Sequence, residues 1–135
     1  MKHGLYSNNG YNFYENGYQK FLIVNSNQIY ETLDYARTQA ITYIVISYAH
    51  GYNLKSIDFV KDYPFIQGLH IVKDVNGMNI DAVHALSNLE YLYINRAPEQ
   101  TLDLDVFPKL ITLNFEWDKH VKNLSSCTFL KELTI

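Results

Sequence analysis

The chain has 135 residues, enough for one domain with a real core, and its 47% apolar and 19% charged composition excludes a disordered polymer. A formal charge of −3 argues against a dedicated nucleic-acid binder, which carries a basic face. Cys127 is the single cysteine, no apolar run reaches membrane-spanning length, and the polar start MKHGLYSNNGYNFYENG lacks a signal-peptide core, so a cytoplasmic protein without disulfides is expected.

Residues 1–17 predict a β-hairpin cap. Asn9-Gly10 sits between alternating apolar and polar residues and suits a type I′ turn, and Glu15-Asn16-Gly17 makes a second turn. Phe21–Val24 predicts the first strand. Asn27 is then placed as the N-cap of a helix in QIYETLDYARTQ, where Ile29, Leu33 and Ala36, with Tyr30 and Ala40, share a face. Asn53 is placed as the cap of a second helix, LKSIDFVKDY, with Leu54, Ile57 and Val60 aligned and Pro64 ending it. Asn79 is placed before a third, IDAVHAL, with Ile80, Val83 and Leu86 aligned. TLDLDVFP and HVKNLSSCTF are too short and too weakly patterned for helices, so extended segments or single 3₁₀ turns are expected.

A hydrophobic triplet φ-x-x-φ-x-φ runs through this series six times. It reads Tyr18–Phe21–Ile23, Ile41–Ile44–Ile46, Ile66–Leu69–Ile71, Leu89–Leu92–Ile94, Leu110–Leu113–Phe115 and Leu130–Leu133–Ile135. Middle positions at 21, 44, 69, 92, 113 and 133 give steps of 23, 25, 23, 21 and 20. A period of this length predicts a solenoid. Pro64, Ser87, Pro108 and Thr128 stand two residues before the later triplets, where the chain turns into each strand.

Leu89-Glu-Tyr-Leu92-Tyr-Ile94, Leu110-Ile-Thr-Leu113-Asn-Phe115 and Leu130-Lys-Glu-Leu133-Thr-Ile135 resemble the L-x-x-L-x-L core of leucine-rich repeats of the short bacterial type. The resemblance covers residues 18–135 and is weakest in the first two units. It implies an α/β fold: a leucine-rich-repeat solenoid of about six parallel strands forming a concave sheet. Helices or 3₁₀ turns would lie on the convex side, behind the 1–17 cap, in one domain overall. The family's asparagine after each strand is replaced by Ala49, Asp74, Ala97 and Asp118, so the asparagine ladder is absent and irregular turns are expected. The chain stops on Ile135 without a C-terminal cap, which makes an open strand edge and a homodimer through it an expectation.

Alternation along the strands predicts the outward residues. They are Lys20, Leu22, Val24; Tyr43, Val45, Ser47; Gly68, His70, Val72; Tyr91, Tyr93, Asn95; Thr112, Asn114, Glu116; and Glu132, Thr134. Tyr43, His70, Tyr91 and Tyr93 should form one aromatic patch, with Asn95, Asn114 and Glu116 on a polar and acidic side. This is the composition of a protein-binding hot spot, preferred here over simple cross-strand pairing. Trp117, between Glu116 and Asp118, is read first as packing into the upper edge of its repeat and second as an anchor for a basic partner. His3, His50, His70, His84 and His120 show no metal-ligand spacing. Cys127 reads as a buried structural thiol, and Asp103 and Asp105 as solvated acids on an extended segment. The six glycines are scattered rather than gathered in a phosphate loop.

The expectation is therefore a non-enzymatic protein-binding module without metal or cofactor. Within that class an inhibitor or immunity-type protein that occludes a toxin or enzyme is expected, with a basic partner. The alternative is an assembly module that homo-oligomerises through its C-terminal strand.

Overall fold

The computed structural model describes residues 3–16, 19–72, 78–95 and 99–135. Gly17, Tyr18, Asp74 and Ala97, which figure in the readings above, lie outside them. In chain order the elements are β1 (His3–Asn8), β2 (Tyr11–Asn16), β3 (Lys20–Ile23), α1 (Ile29–Thr38), β4 (Tyr43–Ile46), β5 (Gly68–Ile71) and β6 (Tyr91–Ile94). They continue with β7 (Leu102–Asp103), β8 (Thr112–Phe115), β9 (Val121–Lys122) and β10 (Glu132–Thr134). Short 3₁₀ turns lie between β4 and β5, β5 and β6, β7 and β8, and β9 and β10.

One sheet of eight strands dominates, in the order β1-β2-β3-β4-β5-β6-β8-β10. The first three strands pair antiparallel, and β3 onward pair parallel. Asn9 and Gly10 have φ of 55° and 83°, the type I′ geometry expected of the hairpin turn. β7 and β9 form a separate parallel pair.

Register sets the core. Phe13, Leu22, Ile44, Leu69, Leu92, Leu113 and Leu133 stand side by side across seven strands. All but Leu133 are buried. Each such leucine or isoleucine contributes about 2 kcal/mol through burial. Ile46, Ile71, Ile94 and Phe115 form a second buried row.

The connections build the other side of this core with a period of three. Ile57, Val60, Tyr63 and Ile66 are all buried, as are Ile80, Val83, Leu86 and Leu89, and Leu104, Phe107 and Leu110. The same residues carry the hydrogen bonds. Val60, Tyr63 and Ile66 N–H donate to the carbonyls of Ile57, Val60 and Tyr63; Val83, Leu86 and Leu89 do the same to Ile80, Val83 and Leu86. Phe107 and Leu110, and then Cys127 and Leu130, repeat the pattern. Three residues per turn stacks every third side chain on one edge, which is 3₁₀ geometry. The strand starts repeat as well. The carbonyls of Thr42, Gln67, Glu90 and Ile111 each accept two N–H groups from the following unit, at 2.7 to 3.1 Å.

Several sequence expectations are corrected here. The helices placed over LKSIDFVKDY and IDAVHAL are 3₁₀ turns, Asp58–Asp62 and Asp81–Ala85. Their apolar residues recur every third position, and Pro64 disfavours an α conformation at Tyr63. Leu54 is exposed rather than on the buried face. Asn53 does not cap; its Oδ1 accepts from Ser26 Oγ at 2.6 Å. Asn27 is not the N-cap of α1, and Asn25 organises that turn by accepting Asn27 N–H on Oδ1 and Gln28 N–H on its carbonyl. Thr32, not Tyr30 or Ala40, joins Leu33 and Ala36 on the buried face. Ala40 instead closes the helix with φ of 55°, while Ile41 N–H reaches back to Ala36 and Ala40 N–H to Arg37.

The largest correction is to the first strand. Leu22 pairs with Ile44 and faces the core, as does Val24, so Phe21 and Ile23 face the opposite side. The outward assignment of Lys20, Leu22 and Val24 is reversed. All four residues of Phe21–Val24 are buried, so alternation carries no information there.

Candidate functional site

The face of the sheet opposite the core carries two cross-strand rows. One runs Leu5, Tyr14, Phe21, Tyr43, Gly68, Tyr91, Thr112, Glu132, and the other Ile23, Val45, His70, Tyr93, Asn114, Thr134. Asn95 and Glu116 follow Tyr93 and Asn114 by one alternation along their strands. Both rows pass from apolar to polar in the direction of β10.

The four expected patch residues do come together, around a fifth that the sequence reading assigned to the core. Phe21 is fully buried at the centre. Its ring centroid lies 5.5 Å from Tyr43, 5.3 Å from Tyr91 and 6.0 Å from His70, each edge-on. Tyr14 leans on Phe21 at 6.0 Å, and His70 stacks on Tyr93 at 4.1 Å with the planes 18° apart. In a flat sheet β3 and β6 would stand about 14 Å apart, so these side chains converge as on the inside of a bend.

Gly68 makes the convergence possible. It stands between Tyr43 and Tyr91, and a Cβ there would collide with Cδ2 and Cγ of the Tyr43 ring. The ring lies over bare backbone, and Tyr43 and Tyr91 approach to 5.8 Å.

Burial keeps the cluster uncharged. Desolvation pushes the Tyr91 phenol up to about 12, helped by neighbouring tyrosines and Glu132, and raises Tyr43 with a contribution from Glu90. It drives His70 down to about 4, so the imidazole is neutral at pH 7. The patch offers ring faces and neutral hydrogen-bonding groups.

Two depressions adjoin it. One of about 610 Å³ is lined by Asn16, Gln19, Tyr43, Glu90, Tyr91, Ile111, Thr112 and Glu132. Another of about 340 Å³ is lined by Tyr14, Asn16, His70, Tyr91, Tyr93, Thr112, Leu113, Asn114, Glu132 and Thr134. Shared walls at Asn16, Tyr91, Thr112 and Glu132 make them one trough. Glu90, Glu132 and Tyr14 escaped the sequence reading as site residues. The signal for Glu132 was its outward position on β10; Tyr14 needed the hairpin pairing, and Glu90 precedes its strand.

Trp117 is 55% exposed and touches Phe115 edge-on at 6.1 Å. The first reading of the sequence, Trp117 packing into the repeat edge, holds only on the side that meets Phe115, and the rest of the indole is exposed. Glu116 is exposed beside it. Asp118 holds the turn, its Oδ1 accepting His120 N–H at 2.7 Å.

The other singled-out residues are structural. Cys127 is buried, its thiol pushed up by desolvation, with Sγ 3.6 Å from the Leu104 carbonyl. Asp103 lies on β7 and accepts from Asp105 N–H and Asn123 Nδ2. His84, near the end of its 3₁₀ turn, is held at both ring nitrogens. Its Nε2 accepts Asp103 N–H at 3.0 Å, which leaves Nδ1 to donate to the Asp81 carbonyl at 2.8 Å. Gln100 also ties units together, accepting Ile80 N–H and donating to the Met78 carbonyl, both at 2.7 Å.

Among the described residues no group of three His, Cys, Asp or Glu side chains gathers as a metal site, and no helix is long and apolar enough to cross a membrane. Comparison with protein-family models, with curated proteins and with solved structures returned no match.

Proposed function

We propose that the chain is a leucine-rich-repeat solenoid, capped by its 1–17 hairpin, that binds a protein partner on the concave face of its sheet. Supporting the repeat reading is the hydrogen-bond frame that recurs from unit to unit, from the three-residue steps to the doubly accepting carbonyls. The observation that carries the binding reading is the half-buried aromatic cluster opening into a polar trough. Aromatic anchors beside a polar rim are the anatomy of a hot spot.

The contact residues are Tyr43, His70, Tyr91, Tyr93, Asn95 and Asn114, with Glu116, Trp117 and Asp118 at the far end of the strands. The partner is basic, matching the −3 charge and these acids. Binding is the whole function: the protein works in the cytosol as an inhibitor or immunity-type protein that covers the active surface of a toxin or enzyme. Tyr91→Ala with Tyr93→Ala should abolish capture of the partner by the parent chain in a pull-down from its native cell. Retained affinity would sink this reading.

A second reading rests on β10. Its residues Leu133 and Thr134 are exposed, and Phe129 and Ile135 are 66% and 67% exposed. A free strand edge with apolar neighbours suits pairing with a second copy. Sedimentation velocity decides it, since a monomer at every concentration would remove the assembly reading.

A further inference from the structure

The larger part of the trough has a lining suited to one chemical group. Tyr43 and Tyr91 contribute rings, and Glu90, just before β6, and Glu132, on β10, contribute carboxylates. Thr112 stands between Tyr91 and Glu132 in the same row, and its small side chain leaves the middle open. Among the described residues no lysine or arginine lines the depression; Lys20, next to Gln19 in sequence, sits over Phe13 on the other face of the sheet, and Lys131, next to Glu132, is not part of the lining. Among the described residues neither Glu90 nor Glu132 is in an ion pair. Glu90 and Glu132 line the same depression as the Tyr43 and Tyr91 rings.

We propose that this depression receives an arginine side chain of the protein partner, its guanidinium stacked on Tyr43 and Tyr91 and bonded to the carboxylates of Glu90 and Glu132. Arginine matches better than lysine because its flat cation stacks on aromatic rings while its donor fork spans carboxylates. A volume of about 610 Å³ exceeds what one guanidinium needs, which leaves room for the stem and flanking backbone of the incoming segment. The inference rests on the partner-binding reading and names the group that enters the site.

The probe is N-acetyl-arginine amide, titrated while the Tyr43 and Tyr91 ring resonances are followed by NMR. Saturable shifts with a midpoint on the order of 10 mM are expected, weakened at least about fivefold by E90Q with E132Q and by added salt. N-acetyl-norleucine amide, which keeps an aliphatic stem and lacks the guanidinium, should leave the rings unmoved. E132Q alone serves if E90Q disturbs the start of β6. Equal shifts from the norleucine probe, no shift from the arginine probe, or binding untouched by the glutamine variants would overturn the proposal. So would tighter binding of N-acetyl-lysine amide or of tetramethylammonium, which would make the site one for another cation. A partner lost by Tyr91→Ala with Tyr93→Ala, yet held equally by E90Q with E132Q, would leave the binding reading standing and remove the arginine pocket.

Discussion

The open face of the sheet has two halves that differ in what covers them. Near β3 and β4 the face is a second small core: Phe21, Ile23 and Val45 are buried, with Tyr14 from the hairpin and the tyrosines of β4 and β6 packed on them. Near β8 and β10 the same rows carry Thr112, Asn114, Glu132 and Thr134 beside an open trough. One half is therefore packed and the other open. The hairpin makes the difference, because Leu5 and Tyr14 extend the apolar row over only the first strands. On the proposed repeat reading, the hairpin would both cap the stack and set where its binding surface begins.

The sharpest way to break this comparison is to empty the covered half. Phe21→Ala removes a fully buried ring and should cost about 3–5 kcal/mol in urea denaturation. A loss under 1 kcal/mol would mean that the hairpin side is no core.

His70 stands at the boundary between the halves, and pH reads it out. Burial holds its folded pKa at about 4 against 6.5 unfolded. The unfolded chain therefore binds its proton first as pH falls. The stabilising contribution is complete above about pH 6.5, is lost progressively toward pH 4 and levels off below, by up to about 3 kcal/mol. His70→Phe should flatten that part of the stability–pH curve, and an unchanged slope would place the imidazole in solvent.

Gly68→Ala tests how the rings converge. The added methyl displaces Tyr43 and should cost about 1–3 kcal/mol in thermal denaturation. Most of that cost should vanish in a Tyr43→Ala background, because the collision is with that ring. Additive effects of the two substitutions would refute the contact.

Asn114→Ala, on the open half, should change stability by less than about 0.5 kcal/mol. A larger loss would show that the polar half is packed too, and would erase the contrast.

Much of this frame could be read from particular residues. Asn9-Gly10 announced the hairpin, and the triplets from Leu69 onward identified their inward positions because polar or half-exposed residues interrupt them. The grouping of Tyr43, His70, Tyr91 and Tyr93 followed from that alternation. The 3₁₀ turns were also written in the chain, as apolar residues at 57, 60, 63 and 66 and at 80, 83, 86 and 89. Read at a helical period, the same residues suggested α-helices. The exposure of Trp117 was not legible, because a lone tryptophan beside a strand end carries no periodic signal of its own.

By itself the sequence determined the inward rows, the places where the chain turns, and the polarity gradient along the open face. Each follows from local alternation or spacing, which neighbouring residues enforce on one another. The facing of Phe21–Val24 was decided only by tertiary structure. Four consecutive apolar residues serve either face equally well, and pairing of Leu22 with Phe13 and Ile44 selects one of them. The same pairing turns Phe21 outward, draws the tyrosines around it, and leaves Glu90 and Glu132 on the wall of a trough whose lining runs from Asn16 to Thr134. Contacts between residues so distant in the chain leave no periodic trace in it.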